Sequence, residues 1–149
     1  MKVRDVMATD VISLTKDTTY EEAVKKLLEN NYAGFPVIDD NDKLVGYLSE
    51  KDLFRALYPS YGNYYNHPES YTDPESREAK VNELKDEPIS KFMTTNPITV
   101  SPDLPILSAG AIMLAHRVHK FPVVEHGRVI GVVSREMIYH KIFDRAFNK

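Results

Sequence analysis

At 149 residues the chain is long enough for one compact domain, which would bury roughly 68–70% of the surface its unfolded form exposes and needs no covalent staple. It has no cysteine, which excludes disulfides, thiolate metal sites and cysteine nucleophiles together. A net charge of -3 leaves no overall electrostatic footprint for nucleic acid, no run approaches the ~18 apolar residues of a membrane span, and Met1-Lys2-Val3-Arg4-Asp5 does not open a signal peptide, so the reading is a soluble cytoplasmic protein without nucleic-acid or membrane partners.

In chain order, Val11 to Leu14 is short and β-branched and predicts a strand. Thr18 with Glu21 forms a capping-box pattern that starts a helix ending near Asn30-Asn31. Tyr20, Ala23, Val24, Leu27 and Leu28 make its apolar stripe, while Glu22, Lys25, Lys26 and Glu29 face water. Phe35-Pro36-Val37-Ile38 reads as a strand, Asp39 to Lys43 as a polar turn, and Gly46-Tyr47-Leu48 as a further strand running into a second helix. The acids of that turn suggest calcium only superficially, because the glycine and terminal glutamate of an EF-hand loop are missing. Residues 58–88 carry Tyr58, Tyr61, Tyr64, Tyr65 and Tyr71 with Pro59, Pro68 and Pro74, and seven acids against three bases oppose a base-stacking role on a phosphate backbone. The segment reads as a structural strap, or else a partner-docking surface, with a short helix from Pro74 to about Leu84 capped at Asp73.

The second half repeats the first. Phe121-Pro122-Val123-Val124 returns the Phe-Pro-Val strand 86 positions on, and Met7, Thr9, Ile12, Asp17, Ala23 and Leu28 return as Met93, Thr95, Ile98, Asp103, Ala109 and Leu114. Past the turn the offset drops by one, so Gly46-Tyr47-Leu48-Ser49 falls on Gly131-Val132-Val133-Ser134. In this copy Asp103 is the expected helix cap, Pro105 lies inside the first turn, and Ile106, Ala109, Gly110, Met113 and Leu114 form the stripe. The turn is His126-Gly127-Arg128, and the last helix carries Met137, Ile138, Ile142, Phe143 and Ala146, with His140, Lys141, Arg145 and Lys149 on other faces. The expected fold class is α/β with mixed sheets: two βαββα repeats packed with pseudo-two-fold symmetry, divided as 1–57, an inter-repeat segment 58–88, and 89–149.

Val6-Met7-Ala8-Thr9 and Phe92-Met93-Thr94-Thr95, the amphipathic helices, the two Phe-Pro-Val strands and the two glycine-x-x-serine segments before a helix resemble, in that order and twice, the cystathionine β-synthase (CBS) domain, and the tandem resembles the pair known as a Bateman module. The resemblance covers about residues 1–57 and 89–144. It implies a regulatory sensor that holds AMP, ADP, ATP or S-adenosylmethionine in the cleft between the copies and passes occupancy to a partner, commonly as a homodimer. Ser49-x-x-Asp52 resembles the family's ribose signature, in which the carboxylate accepts hydrogen bonds from both sugar hydroxyls. Taken alone, Ser49-x-x-Asp52 reads as a helix cap; the surrounding landmarks of the resemblance favour the ribose contact, and both roles can hold at once. By the resemblance the Asp52 site also takes Tyr47, Ala33 and Gly34, with main-chain groups of the strands toward the adenine edge. Asn96, Pro97 and Ile98 close over the base, and Val118, His119 and Lys120 line the sugar-phosphate side, with the last two as phosphate candidates. The pseudo-symmetric site around Ser134, Val132 and Ile12 is expected to be weaker, because Met137 stands where Asp52 would be.

His116 and His119 lack a third ligand at recognisable spacing, so no metal site is expected. No phosphate-binding P-loop, nucleophile elbow or His-Glu-x-x-His helix is present, and the reading is of a chain that is not an enzyme and carries no catalytic cofactor. The alternative function is a ligand-independent dimerisation or scaffold module. A nucleotide-processing enzyme ranks third.

Overall fold

The computed structural model describes residues 1–30, 32–58 and 74–148. Its elements are β1 (Leu14–Thr15), α1 (Tyr20–Asn30), β2 (Gly34–Ile38), β3 (Leu44–Ser49), α2 (Glu50–Arg55), α3 (Pro74–Leu84), α4 (Ile106–His116), β4 (Lys120–Glu125), β5 (Arg128–Ser134) and α5 (Arg135–Phe147), with short 3-10 turns at Val3–Asp5 and Ile89–Lys91. Helices and mixed sheets make the α/β class expected from the sequence, with strands ordered β1-β2-β3 in one sheet and β4-β5 in the other. The two compact units are not the two repeats. One comprises residues 1–12, 38–44 and 97–149, the other 13–37 and 45–96.

The composition of the units follows from the lead-in of each repeat. In the first unit, Val3 is fully buried in a core with Val100, Ile106, Ala109, Met113, Phe121, Val123, Val133 and Ile138. Ala8 pairs with Val132 of β5 through two backbone hydrogen bonds of 2.9 Å. The second unit repeats the device: Ile89 is fully buried, and Thr94 exchanges two 2.9 Å bonds with Tyr47 of β3. The methionines explain the glycines. A Cβ on Gly131 would stand 2.8 Å from Met7 Sδ and from the Ala8 carbonyl, and one on Gly46 would stand 2.6 Å from Met93 Sδ and 2.9 Å from the Thr94 carbonyl.

Several local expectations shift. The capping box of α1 sits one residue later, on Thr19 and Glu22, whose reciprocal bonds are 3.2 and 3.1 Å; Thr18 instead accepts from the Thr15 N–H. Thr19 is pinned by its bridge to Pro88, which fixes where the chain enters the helix. The apolar stripes are narrower than expected: Tyr20 and Ala23 are buried, as are Ile106, Ala109 and Met113, but Leu28 and Leu114 are each 73% exposed. At 3.6 residues per turn, position i+8 lies about 80° round from position i, at the margin of the buried face. Asp103 does not cap α4. It accepts from Arg4 at 3.1 Å while Pro105 occupies the cap position, and Arg4 also reaches Glu125 at 3.2 Å. The strand expected over Val11 to Leu14 is reduced to Leu14–Thr15, and in the second repeat the lead strand shrinks to Val100, which bridges Val123 in parallel.

The hairpin turns fall where expected, except that Arg128 begins β5 opposite Glu125. Asp39 accepts from the backbone N–H groups of Asn41 and Lys43 at 2.8 and 3.0 Å, and those two bonds hold its carboxyl below the usual range. His126 and Gly127 have φ of 55° and 79°, the double left-handed pair of a two-residue type I′ connection between β4 and β5. Helix α3 spans Pro74–Leu84 as expected, and Tyr58 stacks edge-on to Phe54 at 5.5 Å. The expectations for Asn31, the strap's Pro59, Tyr61, Tyr64, Tyr65, Pro68 and Tyr71, the Asp73 cap and Lys149 lie outside the described residues. On α5, Ile138 is buried, Met137 and Ile142 are half-buried, and Phe143 and Ala146 are exposed.

Candidate functional site

Asp52 stands in the first turn of α2, and its placement is set by backbone geometry. Ser49, extended at φ -104° and ψ 162°, ends β3 and caps the helix: its hydroxyl accepts from the Asp52 N–H at 3.2 Å, and the Asp52 Oδ2 accepts from the Ser49 N–H at 3.0 Å. The capping reading therefore holds. It uses one oxygen. Oδ1 lies 3.7 Å from the Arg55 guanidinium, and the side chain is only 9% exposed. A carboxylate offers about four acceptor positions, so a capped Asp52 retains acceptors for further donors. Arg55 escaped the sequence reading, although an acid and a base three apart on a helix are a visible signal for such a pair.

Tyr47 lies two residues before Ser49 on the same face of β3. Its N–H and C=O are both bonded to Thr94, so a direct main-chain role toward a ligand gives way to its side chain. Its ring lies over Gly34, where an added Cβ would be 2.8 Å from both Cε1 and the hydroxyl. Burial, and secondarily the Asp52 charge, pushes the phenol up to about 12. Ala33 is exposed and its carbonyl accepts the Glu50 N–H at 2.8 Å, tying the start of α2 to the entry of β2. The second unit thus gathers Ala33, Gly34, Tyr47, Ser49, Asp52 and the exposed Asn96.

The other unit gathers the remaining expected residues. Ser134 caps α5 by accepting from the Met137 N–H at 3.1 Å, and no carboxylate reciprocates because Met137 occupies the equivalent of Asp52. Val132 is buried and Ile12 half-buried. His119 is exposed with its carbonyl on the Arg135 N–H at 2.8 Å, repeating the Ala33–Glu50 contact. Lys120 is half-buried, and that burial lowers the pKa of its ammonium. Val118, Pro97 and Ile98 are half-buried, and Val118 and Ile98 lie against this unit's core. Among the described residues no three histidines, aspartates or glutamates sit together as a metal cluster, and no helix is long and apolar enough to cross a membrane.

The twofold occurrence of one lead-in, one hairpin and one serine-capped helix meets its match in the CBS domain, whose family model covers residues 3–59 and 89–144. The chain belongs to the CBS-domain family. Within it, the protein is 34% identical over 137 residues to the A-adding tRNA nucleotidyltransferase of Aquifex aeolicus (strain VF5), covering 91% of this chain but 14% of that enzyme. The structure of CBSX2, a protein of Arabidopsis thaliana, in complex with AMP superposes with a TM-score of 0.75 at 24% identity, covering 97% of this chain and 98% of that one. The CBS domain pair of protein MJ0100 in complex with 5'-methylthioadenosine and S-adenosyl-L-methionine gives 0.71 at 24% identity, with the same two coverages. At these identities the CBS likeness establishes the fold, a tandem CBS pair.

Proposed function

We propose that this CBS pair is a regulatory module, not a catalyst, that binds an adenosine ligand, with the Asp52 carboxylate accepting from the ribose hydroxyls. The observation that carries the reading is the state of Asp52: fixed by the Ser49 N–H, withdrawn from bulk water, and still offering acceptor capacity. Ser49, Tyr47, Ala33, Gly34 and Asn96 are the proposed contacts in the same unit. Pro97, Ile98, Val118, His119 and Lys120 stay candidate contacts on the family resemblance, the last two for phosphate. The set Ser134, Val132 and Ile12, lacking a carboxylate, is the weaker one. Family members holding AMP or S-adenosyl-L-methionine support the ligand class, from which AMP, ADP, ATP and S-adenosylmethionine are the candidates. Occupancy would favour the ligand-competent arrangement and be read by an effector protein.

A ligand at one hundred times its dissociation constant stabilises the folded state by roughly 2.7 kcal/mol, readily seen as a melting shift. We expect such a shift with at least one of these ligands, its near-complete loss in Asp52→Ala, and its retention in Met137→Ala. Equal shifts in wild type and Asp52→Ala would remove Asp52 from the site.

A scaffold role has its own observation. Leu28 and Leu114, equivalent positions of the two repeats, are both 73% exposed, and Phe54 is 61% exposed. Isolated exposed apolar residues need no explanation, but recurrence at one repeat position suits a self-complementary homodimer surface. Leu28→Lys with Leu114→Lys should convert a dimer into a monomer in sedimentation velocity; an unchanged species would dismiss these residues as the contact.

A further inference from the structure

Resting on the ribose reading above, we infer that Tyr47 is a specificity-determining residue whose phenolic hydroxyl donates to a ribose hydroxyl oxygen beside Asp52. The argument begins with what a carboxylate cannot do. A sugar hydroxyl both donates and accepts, and an ionised Asp52 is acceptor-only, so it takes the protons of the diol and leaves the hydroxyl oxygens needing a donor. In the withdrawn environment of this side chain, 9% exposed, an unmet acceptor is costly.

Tyr47 supplies a donor and little else. Its main-chain groups are spent on Thr94 at 2.9 Å each, so the hydroxyl is what remains. Its ring is seated on the bare Cα of Gly34, with no room for a Cβ between them. Along β3 it shares a face with Ser49, whose N–H holds the Asp52 carboxylate at 3.0 Å. Seat, phenol and carboxylate therefore belong to one short stretch of sheet and helix. Held near 12, the phenol is protonated throughout the physiological range and remains a donor.

The other repeat shows that this is not a requirement of the fold. Lys120 stands at the position of Gly34 and Val132 at that of Tyr47, and β4 and β5 pair normally there, with Lys120 opposite Ser134 and Pro122 opposite Val132. The missing Cβ and the phenol occur together with the carboxylate in one copy, and all three are replaced together in the other.

The test is calorimetric titration of wild type, Tyr47→Phe and Asp52→Ala with S-adenosylmethionine, AMP, ATP and their 2'-deoxy and 3'-deoxy forms. Tyr47→Phe keeps the ring on Gly34 and removes one neutral hydrogen bond. It should weaken the ribonucleotide roughly threefold to tenfold while leaving one of the two deoxy forms unaffected, so that its ribose preference at that hydroxyl collapses. Asp52→Ala should weaken ribonucleotides more. If Asp52→Ala abolishes the preference and Tyr47→Phe leaves every ratio unchanged, the Tyr47 assignment falls and the Asp52 reading stands. If wild type binds neither a nucleotide nor S-adenosylmethionine, or binds ribo and deoxy forms alike, both fall.

Discussion

Phe121→Ala is expected to lower the unfolding free energy by about 3–5 kcal/mol, the usual cost of removing a fully buried aromatic whose surroundings cannot close the gap. Phe121 is 1% exposed, and its unit's core surrounds it with residues from four separate stretches: Val3 from the lead-in, Val100 before the helix, Ile106, Ala109 and Met113 from α4, and Val133 and Ile138 from β5 and α5. A cavity there lies among elements fixed to one another by hydrogen bonds, including the Val3 N–H to the Leu104 carbonyl at 2.8 Å and the Val100 N–H to the Pro122 carbonyl at 3.2 Å. Collapse is therefore restricted. Phe35, fully buried in the other unit, should show a loss of the same order, whereas Phe147, 79% exposed, should change stability by no more than about 0.5 kcal/mol on truncation. Urea melts with unchanged slope measure all three. A loss below about 1 kcal/mol for Phe121→Ala would mean that the Phe-Pro-Val strand is not the centre of the core.

The duplication made much of this legible, because agreement between copies isolates what the fold requires. Ser49 and Ser134 both cap a helix, Phe35 and Phe121 are both buried, and the helix from Pro74 to Leu84 was marked by a proline in its first turn. What a repeat cannot reveal is the partner of each piece. Met7 and Gly46 read as landmarks of one copy, yet Met7 lies on Gly131 and Met93 on Gly46, since a lead-in strand can pair with any exposed edge of suitable register. Boundaries were likewise hidden where tertiary pairing overrules local chemistry. Thr18 and Thr19 are equally good caps by composition, and the bridge from Thr19 to Pro88 decides between them. Leu28 and Leu114 looked like core by spacing, but periodicity ranks a face without saying how wide a strip the sheet covers. At the site, Ser49, Asp52 and Tyr47 were visible as chemistry. The seating of Tyr47 on Gly34 was not, because it depends on a cross-strand neighbour.

Gly46→Ala and Gly131→Ala should each cost about 1–3 kcal/mol, the range for a methyl forced into a packed interior. The obstruction is partly backbone: at Gly46 the new Cβ would meet the Thr94 carbonyl at 2.9 Å as well as Met93 Sδ at 2.6 Å, and at Gly131 the Ala8 carbonyl and Met7 Sδ, both at 2.8 Å. A thioether can swing aside, whereas a carbonyl engaged in the lead-in pairing can move only with its strand. Trimming the methionine should therefore rescue in part. In a double-mutant cycle, Gly46→Ala with Met93→Ala should be less destabilised than the sum of the single changes by about 0.5 kcal/mol or more, and strict additivity would show that the two side chains do not compete for one space. The two glycines should then part company in binding. The Thr94 carbonyl displaced by Gly46→Ala accepts the Tyr47 N–H at 2.9 Å, so that substitution disturbs the strand carrying Tyr47 and Ser49 and should weaken the nucleotide-induced melting shift. Gly131→Ala disturbs Val132, beside a serine with no carboxylate partner, and should lower stability while leaving that shift nearly intact. Equal losses of ligand response in both variants would mean that the first repeat's hairpin has no privileged part in binding.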